Sequence, residues 1–546
     1  MKKALSLLLA VLVLVSLFAA CGGNGDAPAT ANLSSEPGAT TPTTPSVMNN
    51  DDVVVQGEEP DGIVPGTVLN IAWESDKQTH LPYSSDSHGA LYLMVYDTLF
   101  QNNDGEISGL IAKDWTVSED GMEYVINIWD NIDYCLKDGS KGDHLNADKV
   151  VRSLQLTEKY MSNYFTNIES YEATDEYQIT VKFNAPYPDF EVQFSLMFTG
   201  IVDPDYVAEH GEESNDSAVG TGPYYIEDYK GATSFTFKAN PYYWNADHFA
   251  HIETINCSII PETSTCQVAL LSGDIDWFEC SDVAIVEALT ANPEVSAYIC
   301  QGAFNPLYFN CNRAPFDNEN VRRGIGLLID SQELINVAYG GEGDIYNAPW
   351  QTGAATYKEY DGVNAFDPDE GLRLLEEAGV DPSKLVINTF GSYLDSNYLP
   401  ALQAQLAQYG ITLNFEIYEV GTFIQSVGQG DWDVMAWFGL LDKAAPYQTY
   451  LNMFGANGFY RGLFIEETYP EIWQQIQDLL AEAGTCTSID DQIAVLMQID
   501  QILVDNCFFT HNVGGHEWRV YNSKLQNMQG DAKYAFTEFY ELYWVE

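Results

Sequence analysis

A strand–helix–strand order in the C-terminal half of the chain constrains its fold most. Asp367 and Pro368 are typical of a helix start, as N-cap and first helical residue, and Gly379 is typical of a helix end. A strand, a second helix and another strand follow between residues 385 and 418. This order predicts an α/β fold in which helices cover mixed β-sheets. Because a chain of 546 residues is too long for one ordinary core, we expect two or three lobes.

The charge of the chain excludes some partners. The formal charge at pH 7 is −57, from 23 Lys and Arg residues against 80 Asp and Glu residues. Since contacts with phosphate need cations, we expect no binding to nucleic acid and no direct docking on anionic lipid. The acidity fits either a solubilising surface or the steering of cationic solutes. It is spread along the whole chain, which favours the solubilising surface.

The N-terminus is typical of a secreted protein. Lys2 and Lys3 precede an apolar run that ends at Cys21, so residues 1–20 are predicted to be a signal peptide. This segment resembles a bacterial lipoprotein signal, which implies that Cys21 is lipidated. Residues 21–65 are rich in Gly, Ala, Pro, Thr, Ser and acids, and they predict a disordered tether. We therefore expect a lipid-anchored protein at the extracytoplasmic face of the cell membrane, in a bacterium of the Gram-positive type.

Patterns of catalysis and metal binding are missing from the sequence. The cysteines after Cys21 form no C-x-x-C pair, so a zinc site is not favoured, and no disulfide connectivity is predicted. The sequence contains no G-x-S-x-G, H-E-x-x-H or P-loop pattern. No catalytic residue, metal ligand or cofactor is therefore assigned.

Five segments of the chain carry recognisable motifs. They are 110–121 (LIAKDWTVSEDG), 220–224 (GTGPY), 269–276 (ALLSGDID), 309–330 (with APFD and VRR) and 430–446 (GDWDVMAWFGLLDKAAP). Asp120-Gly121 predicts a hairpin turn, and ALLSGDID predicts a turn after a helix rather than a calcium site. Asp317 and Asp330 are expected to cap helices.

In this order the segments resemble the extracellular solute-binding proteins of family 5, whose best-known members bind oligopeptides and dipeptides. The resemblance runs from Val68 to the C-terminus. It implies an α/β, periplasmic-binding-protein-like fold (type II, cluster C), with mixed β-sheets and two lobes joined by a hinge. The implied units are lobe I (66–84, 201–305 and 500–546), an extra subdomain of lobe I (85–200) and lobe II (306–499).

The resemblance also implies where a ligand would bind. In oligopeptide binders an Asp in the last motif pairs with the α-ammonium of the peptide, and Asp442, with Pro446 after it, occupies that place. Lys443 replaces the usual aromatic residue there. The other implied wall residues are His80, Tyr83, Tyr308, Asn310, Trp437 and Phe438, of which the aromatic ones fit a plain core equally well.

We therefore expect a monomeric substrate-binding lipoprotein that captures short peptides or related small solutes. It would deliver them to the transmembrane permease subunits of an ABC importer. A binder of oligosaccharide or metal chelate in the same fold, a secreted hydrolase and a sensory lipoprotein are the alternatives. A nucleophile bonded to a base in the cleft would favour the hydrolase, and clustered histidines would favour the chelate.

Overall fold

The computed structural model describes most of the chain after the predicted tether. The described residues are 63–65, 67–74, 80–83, 94–103, 106–165, 167–231, 233–248, 250–392, 397–418, 420–436, 446–456, 458, 464–528 and 539–546. The predicted signal peptide, Cys21 and nearly all of the tether lie outside this part.

The described chain contains both helices and strands. The α-helices are Ala147–Tyr160, Phe190–Gln193, Pro204–His210, Thr263–Ser272, Val283–Thr290, Glu319–Leu327, Ser331–Ala338, Pro368–Glu377, Tyr398–Ala407, Val420–Gln429, Tyr447–Phe454, Pro470–Ala483 and Ile489–Asp505. The strands are β1 Thr67–Trp73, β2 Phe100–Asn103, β3 Glu106–Gly109, β4 Ala112–Val117, β5 Glu123–Ile128, β6 Asp133–Cys135, β7 Lys141–His144, β8 Ile168–Asp175, β9 Gln178–Phe183, β10 Tyr224–Tyr229, β11 Ser234–Ala239, β12 Ile252–Ile259, β13 Trp277–Cys280, β14 Val295–Phe304, β15 Leu307–Phe309, β16 Gly343–Ile345, β17 Val386–Ser392, β18 Thr412–Tyr418, β19 Val434–Ala436, β20 Phe509–Thr510, β21 Val513–Asn522, β22 Leu525–Gln526 and β23 Tyr543–Trp544.

A mixed eight-stranded sheet organises the first lobe. Its order is β10-β11-β12-β1-β13-β21-β14, and β16 also pairs with β21. Strand β1 runs parallel to β12 and β13, whereas β21 is antiparallel to β13 and β14. Because neighbouring side chains point to opposite faces, Leu69 and Ile71 pack in the large core on one face, while Ala72 packs in a smaller core on the other.

A four-stranded antiparallel sheet, β4-β5-β9-β8, forms the centre of the segment predicted to be an extra subdomain. The predicted hairpin turn is present: Gly121 has a φ of 69°, and its N–H donates to the carbonyl of Ser118 at 2.9 Å. The helix Ala147–Tyr160 begins where the Asn146 side chain accepts a hydrogen bond from the N–H of Lys149 at 3.0 Å.

A second core contains the predicted strand–helix–strand unit. The parallel strands β17 and β18 flank the helix Tyr398–Ala407, and a three-stranded sheet has the order β19-β15-β20. The helix predicted from its caps is Pro368–Glu377, where the Asp367 side chain accepts from the N–H of Glu370 at 3.1 Å. The α/β prediction is therefore confirmed.

The chain crosses between the two cores at two neighbouring strands. It leaves the large sheet at the end of β14, where Phe304 already packs in the second core, and it returns through Val513 at the start of β21. Leu503 and Phe509 still pack in the second core, so the chain returns to the large sheet only after residue 500. The domain boundaries from the sequence stay a prediction.

Two further features follow from the described residues. None of their helices has the length and apolar character that a membrane crossing needs.

Several cysteines among the described residues are free thiols, and of these only Cys486 is not buried. They are Cys135, Cys257, Cys266, Cys280, Cys311, Cys486 and Cys507.

Candidate ligand-binding site

The GTGPY segment has a structural role in the first lobe. Asp97 is buried, and its carboxylate accepts hydrogen bonds from the Thr221 hydroxyl at 2.9 Å, the Tyr243 hydroxyl at 3.0 Å and the Trp244 indole at 2.9 Å. A Cβ atom on Gly222 would lie 2.6 Å from the carbonyl oxygen of Met94, so only glycine fits there. Burial raises the pKa of Asp97 to about 6, although the three donors oppose the shift. The segment therefore fixes the fold rather than a ligand.

The ALLSGDID segment forms the turn that the sequence predicts. The helix Thr263–Ser272 ends at Gly273, which has a left-handed conformation with a φ of 79°. The Asp276 carboxylate accepts from the backbone N–H of Asn70 at 2.9 Å and from its side-chain amide at 3.0 Å. These contacts tie the turn to β1.

The Pro-Phe-Asp segment is held by a buried arginine. Arg322 has no exposed surface, and its guanidinium donates to the carbonyls of Phe316 at 2.8 Å, Asn506 at 2.7 Å and Cys507 at 2.9 Å. Such a guanidinium replaces water for three carbonyls at once. Arg322 therefore holds the segment around Phe316, where the chain enters the second core, against the C-terminal end of the helix Ile489–Asp505.

The two predicted helix caps had different outcomes. Asp330 caps the helix Ser331–Ala338 by accepting from the N–H of Glu333 at 3.1 Å, as expected. The expectation for Asp317 was wrong, because Asn318 caps the helix Glu319–Leu327. The carbonyl of Asp317 accepts instead from the Tyr469 hydroxyl at 2.6 Å.

The predicted wall residues after β1 are buried within the first lobe. The His80 ring meets the Tyr229 ring edge-on, with centroids 4.3 Å apart. Tyr83 stacks on Tyr160 at 5.1 Å and donates its hydroxyl to the carbonyl of Glu212 at 3.0 Å. These contacts fit the core alternative for Tyr83, and a ligand contact by His80 or Tyr83 stays a prediction.

Tyr308 and Asn310 lie together on β15 and just after it. Tyr308 is fully buried, with its ring centroid 5.9 Å from that of Phe509. The Asn310 side chain donates to the carbonyl of Gly430 at 3.0 Å, and its backbone N–H donates to the carbonyl of Asp433 at 3.0 Å. Asn310 thus fixes the chain just before β19. Ligand contact by either residue stays a prediction.

Asp433 also fixes the chain just before β19. Its carboxylate accepts from Arg313 Nε at 2.8 Å, and from the backbone N–H of Asn388 at 2.8 Å. Asp433 therefore joins the chain after β15 to β17 at the start of β19. No local sequence pattern predicts this role of Asp433, and only its place inside a motif distinguishes it.

The remaining predicted ligand residues, Trp437, Phe438 and Asp442, lie outside the described residues. The described chain stops at the end of β19 and resumes at Pro446, before the helix Tyr447–Phe454. Burial, and to a smaller extent the Asp189 carboxylate, raise the pKa of Tyr447 to about 12. Asp189 is buried and directly precedes the helix Phe190–Gln193.

A serine and a histidine do contact each other, but in the core. The Ser331 hydroxyl lies 2.7 Å from His511 Nδ1, and the other ring nitrogen lies 2.5 Å from the carbonyl of Gly326. Both side chains are buried, and burial lowers the pKa of His511 to about 4. Because a substrate has no access to this pair, it does not favour the hydrolase.

Metal chemistry finds no support within the part of the chain that the structure describes. No group of three or more His, Cys, Asp and Glu side chains there could hold a metal ion.

Comparison with known proteins gives the family. A family model described as "Bacterial extracellular solute-binding proteins, family 5 Middle" matches residues 106–461. Heme-binding protein A of Haemophilus influenzae is 26% identical over 319 residues, which cover 54% of this chain but only 58% of that protein. Di/tripeptide-binding protein 2 of Pseudomonas aeruginosa is 25% identical over 378 residues, or 62% of this chain and 68% of that protein.

Solved structures share the fold. The ABC transporter-associated periplasmic binding protein DppA from Helicobacter pylori, in complex with the peptide STSA, has a TM-score of 0.73 at 22% identity, covering 88% of this chain and 99% of that chain. NikA from Brucella suis, in complex with Fe(III)-EDTA, has a TM-score of 0.78 at 18% identity, covering 87% and 99%. The predicted two-lobed, type II architecture is confirmed. The chain belongs to the bacterial extracellular solute-binding proteins of family 5.

Proposed function

We propose that this protein is the substrate-binding component of an ABC importer and captures short peptides between its two lobes. A lipid on Cys21 would hold it at the extracytoplasmic face of the membrane, beside the permease subunits that receive the peptide. The match of the family model to residues 106–461 carries the proposal. The names of relatives support its peptide part, since several are dipeptide- or tripeptide-binding proteins.

The physical basis is closure of two lobes around an extended ligand. Backbone donors and acceptors bind the main chain of a peptide whatever its sequence, and closure expels water from the cleft. A carboxylate that meets the peptide ammonium adds a charge-assisted hydrogen bond. Asp442 is our proposed anchor, and Trp437 and Phe438 are proposed to line the wall beside it.

A metal chelate is the second candidate, because the Haemophilus relative is named a heme-binding protein. No metal-binding cluster occurs among the residues that the structure describes.

Calorimetric titration of the mature protein, unfolded and refolded to remove any bound solute, tests the proposal. The probes are alanine di-, tri-, tetra- and pentapeptides, with maltotriose and haemin as controls. We expect micromolar or tighter binding of at least one peptide and none of the controls. Binding of haemin or maltotriose alone would replace the peptide by that class of solute.

A further inference from the structure

The two crossing strands approach each other closely where the lobes meet. A Cβ atom on Gly302 of β14 would lie 2.2 Å from the carbonyl oxygen of Gly515 on β21. A Cβ atom on Gly343 of β16 would lie 2.4 Å from the carbonyl oxygen of Gly514. The pairing of β14 with β21 also shifts register between Gln301 and Phe304. These glycines are where a hinge between the lobes would lie, because a rotation of the lobes would have to turn the strands here.

An ion cluster lies directly on this hinge. His516 Nδ1 is 3.4 Å from a carboxylate oxygen of Glu342, and Nε2 is 3.3 Å from a carboxylate oxygen of Asp344. The backbone N–H of His516 also donates to the carbonyl of Glu342 at 3.1 Å. Both ring nitrogens can donate to carboxylates only when the imidazole is charged.

The cluster spans two paired strands. His516 belongs to β21 and Asp344 to β16, and these strands pair in the large sheet, while the adjacent Trp518 packs in a core of the first lobe. Glu342 and Asp344 follow the helix Ser331–Ala338, whose Leu334 packs in the second core. The ion pairs therefore strengthen the strand pairing that joins this part of the chain to the sheet of the first lobe.

Other groups around His516 are polar or titrate in their own pairs. The amide of Gln301, which is paired with His516 across the strands, donates to the Tyr346 hydroxyl at 2.6 Å, and Tyr346 lies 3.4 Å from Asp344. Glu517 points to the opposite face of β21, where its carboxylate is 3.6 Å from Arg519. Burial raises the pKa of Glu517 to about 7, so its titration must be separated from that of His516.

We propose that His516, Glu342 and Asp344 form a proton-sensitive latch, which holds the lobes in the arrangement of this structure while the imidazole is charged. The latch goes beyond the capture of a peptide, and it depends on the fold and not on which solute binds.

The direction of the pH effect follows from the charges. The hydrogen bond to Asp344 raises the pKa of His516 above its ordinary value of 6.5, and the carboxylate of Glu342 adds to this. The stabilisation is therefore complete below pH 6.5 and is lost as pH rises through the raised pKa. Because the carboxylates are nearly half exposed, the effect is moderate.

Hydrogen exchange of the ligand-free mature protein tests the latch. The readout is the protection of backbone amides 343–345 and 513–516, corrected for the intrinsic effect of pH on exchange. We expect protection to fall about fivefold between about pH 6 and about pH 8.5 in the natural protein. Glu517→Gln is introduced into every protein compared, so that Glu517 does not titrate, and in His516→Gln protection should then be low and independent of pH.

Matched variants separate the latch from other groups. Glu342→Gln and Asp344→Asn should each lower protection at about pH 6 without unfolding the chain, since both carboxylates are partly exposed. His144→Gln removes a similar pair in a separate two-stranded sheet, in which Nδ1 is 2.8 Å from Asp133, and should leave hinge protection unchanged. When Glu517→Gln is present in every variant, a pH dependence that persists in His516→Gln, or hinge protection unaffected by both carboxylate variants, would overturn the latch.

Discussion

The Oδ2 atom of Asp97 accepts a hydrogen bond from the indole N–H of Trp244 at 2.9 Å. The same atom accepts from the Thr221 hydroxyl, and Oδ1 accepts from the Tyr243 hydroxyl. One buried carboxylate thus joins the GTGPY segment to the aromatic turn that follows β11. The GTGPY segment and this turn are held together by a residue that belongs to neither.

Asp97→Ala should lower the free energy of unfolding by about 4 kcal/mol, because it leaves three buried donors without their acceptor. Urea denaturation measures the change. Asp120→Ala, in the exposed hairpin turn, is the control and should change the free energy by less than about 1 kcal/mol. Equal effects of the two substitutions would show that the Asp97 contacts contribute little.

Asp500 should make stability depend on pH. Burial raises its pKa from 3.8 to about 8, although hydrogen bonds from Tyr450 at 2.7 Å and Trp350 at 3.0 Å oppose the shift. The folded state keeps a proton on Asp500 that the unfolded chain loses above pH 3.8. The stabilisation of the folded state by protonated Asp500 is therefore complete below pH 3.8, and it is lost as the pH rises to about 8.

The measurement is the urea midpoint across that pH range. Asp500→Asn should remove this part of the pH dependence, whereas Asp505→Asn, on the exposed side of the same helix, should leave it. A natural protein and an Asp500→Asn variant with parallel pH profiles would contradict the assignment.

Arg322 and Arg323 should differ sharply although they are neighbours. Arg322→Ala leaves three carbonyls without this donor, two of them in buried hydrogen bonds, and we expect the free energy of unfolding to fall by about 4 kcal/mol. Arg323 is partly exposed and pairs with Glu319 at 2.6 Å, so Arg323→Ala should cost about 1 kcal/mol or less. Denaturation of the two variants side by side provides the comparison, and the reverse order would contradict it.

Asp442→Asn should weaken peptide binding about tenfold or more, which corresponds to about 1.4 kcal/mol, if its carboxylate meets the peptide ammonium. Calorimetric titration with the tightest-binding alanine peptide measures this loss. Asp431→Asn is the matched control, because the Asp431 side chain is 90% exposed and lies in the same motif. Unchanged affinity in Asp442→Asn would remove this anchor.

Local patterns were predictable, and distant partnerships were not. The helix cap at Asp367, the turn at Gly121 and the strand–helix–strand unit depend on neighbours in the sequence, and the structure contains all three. Asp317 and Asn318 are equally good capping types, so sequence alone could not choose between them.

The roles of Asp97 and Asp433 depend on partners far along the chain. Asp97 binds Trp244, and Asp433 binds Asn388. Because these partners are distant in the sequence, no local pattern predicts either contact. Among the predicted ligand residues, His80 and Tyr308 have aromatic side chains, which pack well either in a core or in the wall of a pocket. Their residue types therefore could not settle the choice.

Native mass spectrometry of the mature protein, purified without denaturation, tests the central claim most directly. We expect the folded protein to carry extra mass that is released as a mixture of short peptides, and to lose it in Asp442→Asn but not in Asp431→Asn. A single sugar, a haem or another metal chelate in place of peptides would contradict the peptide assignment. Hydrolysis of added peptides by the purified protein would contradict its role as a binding protein.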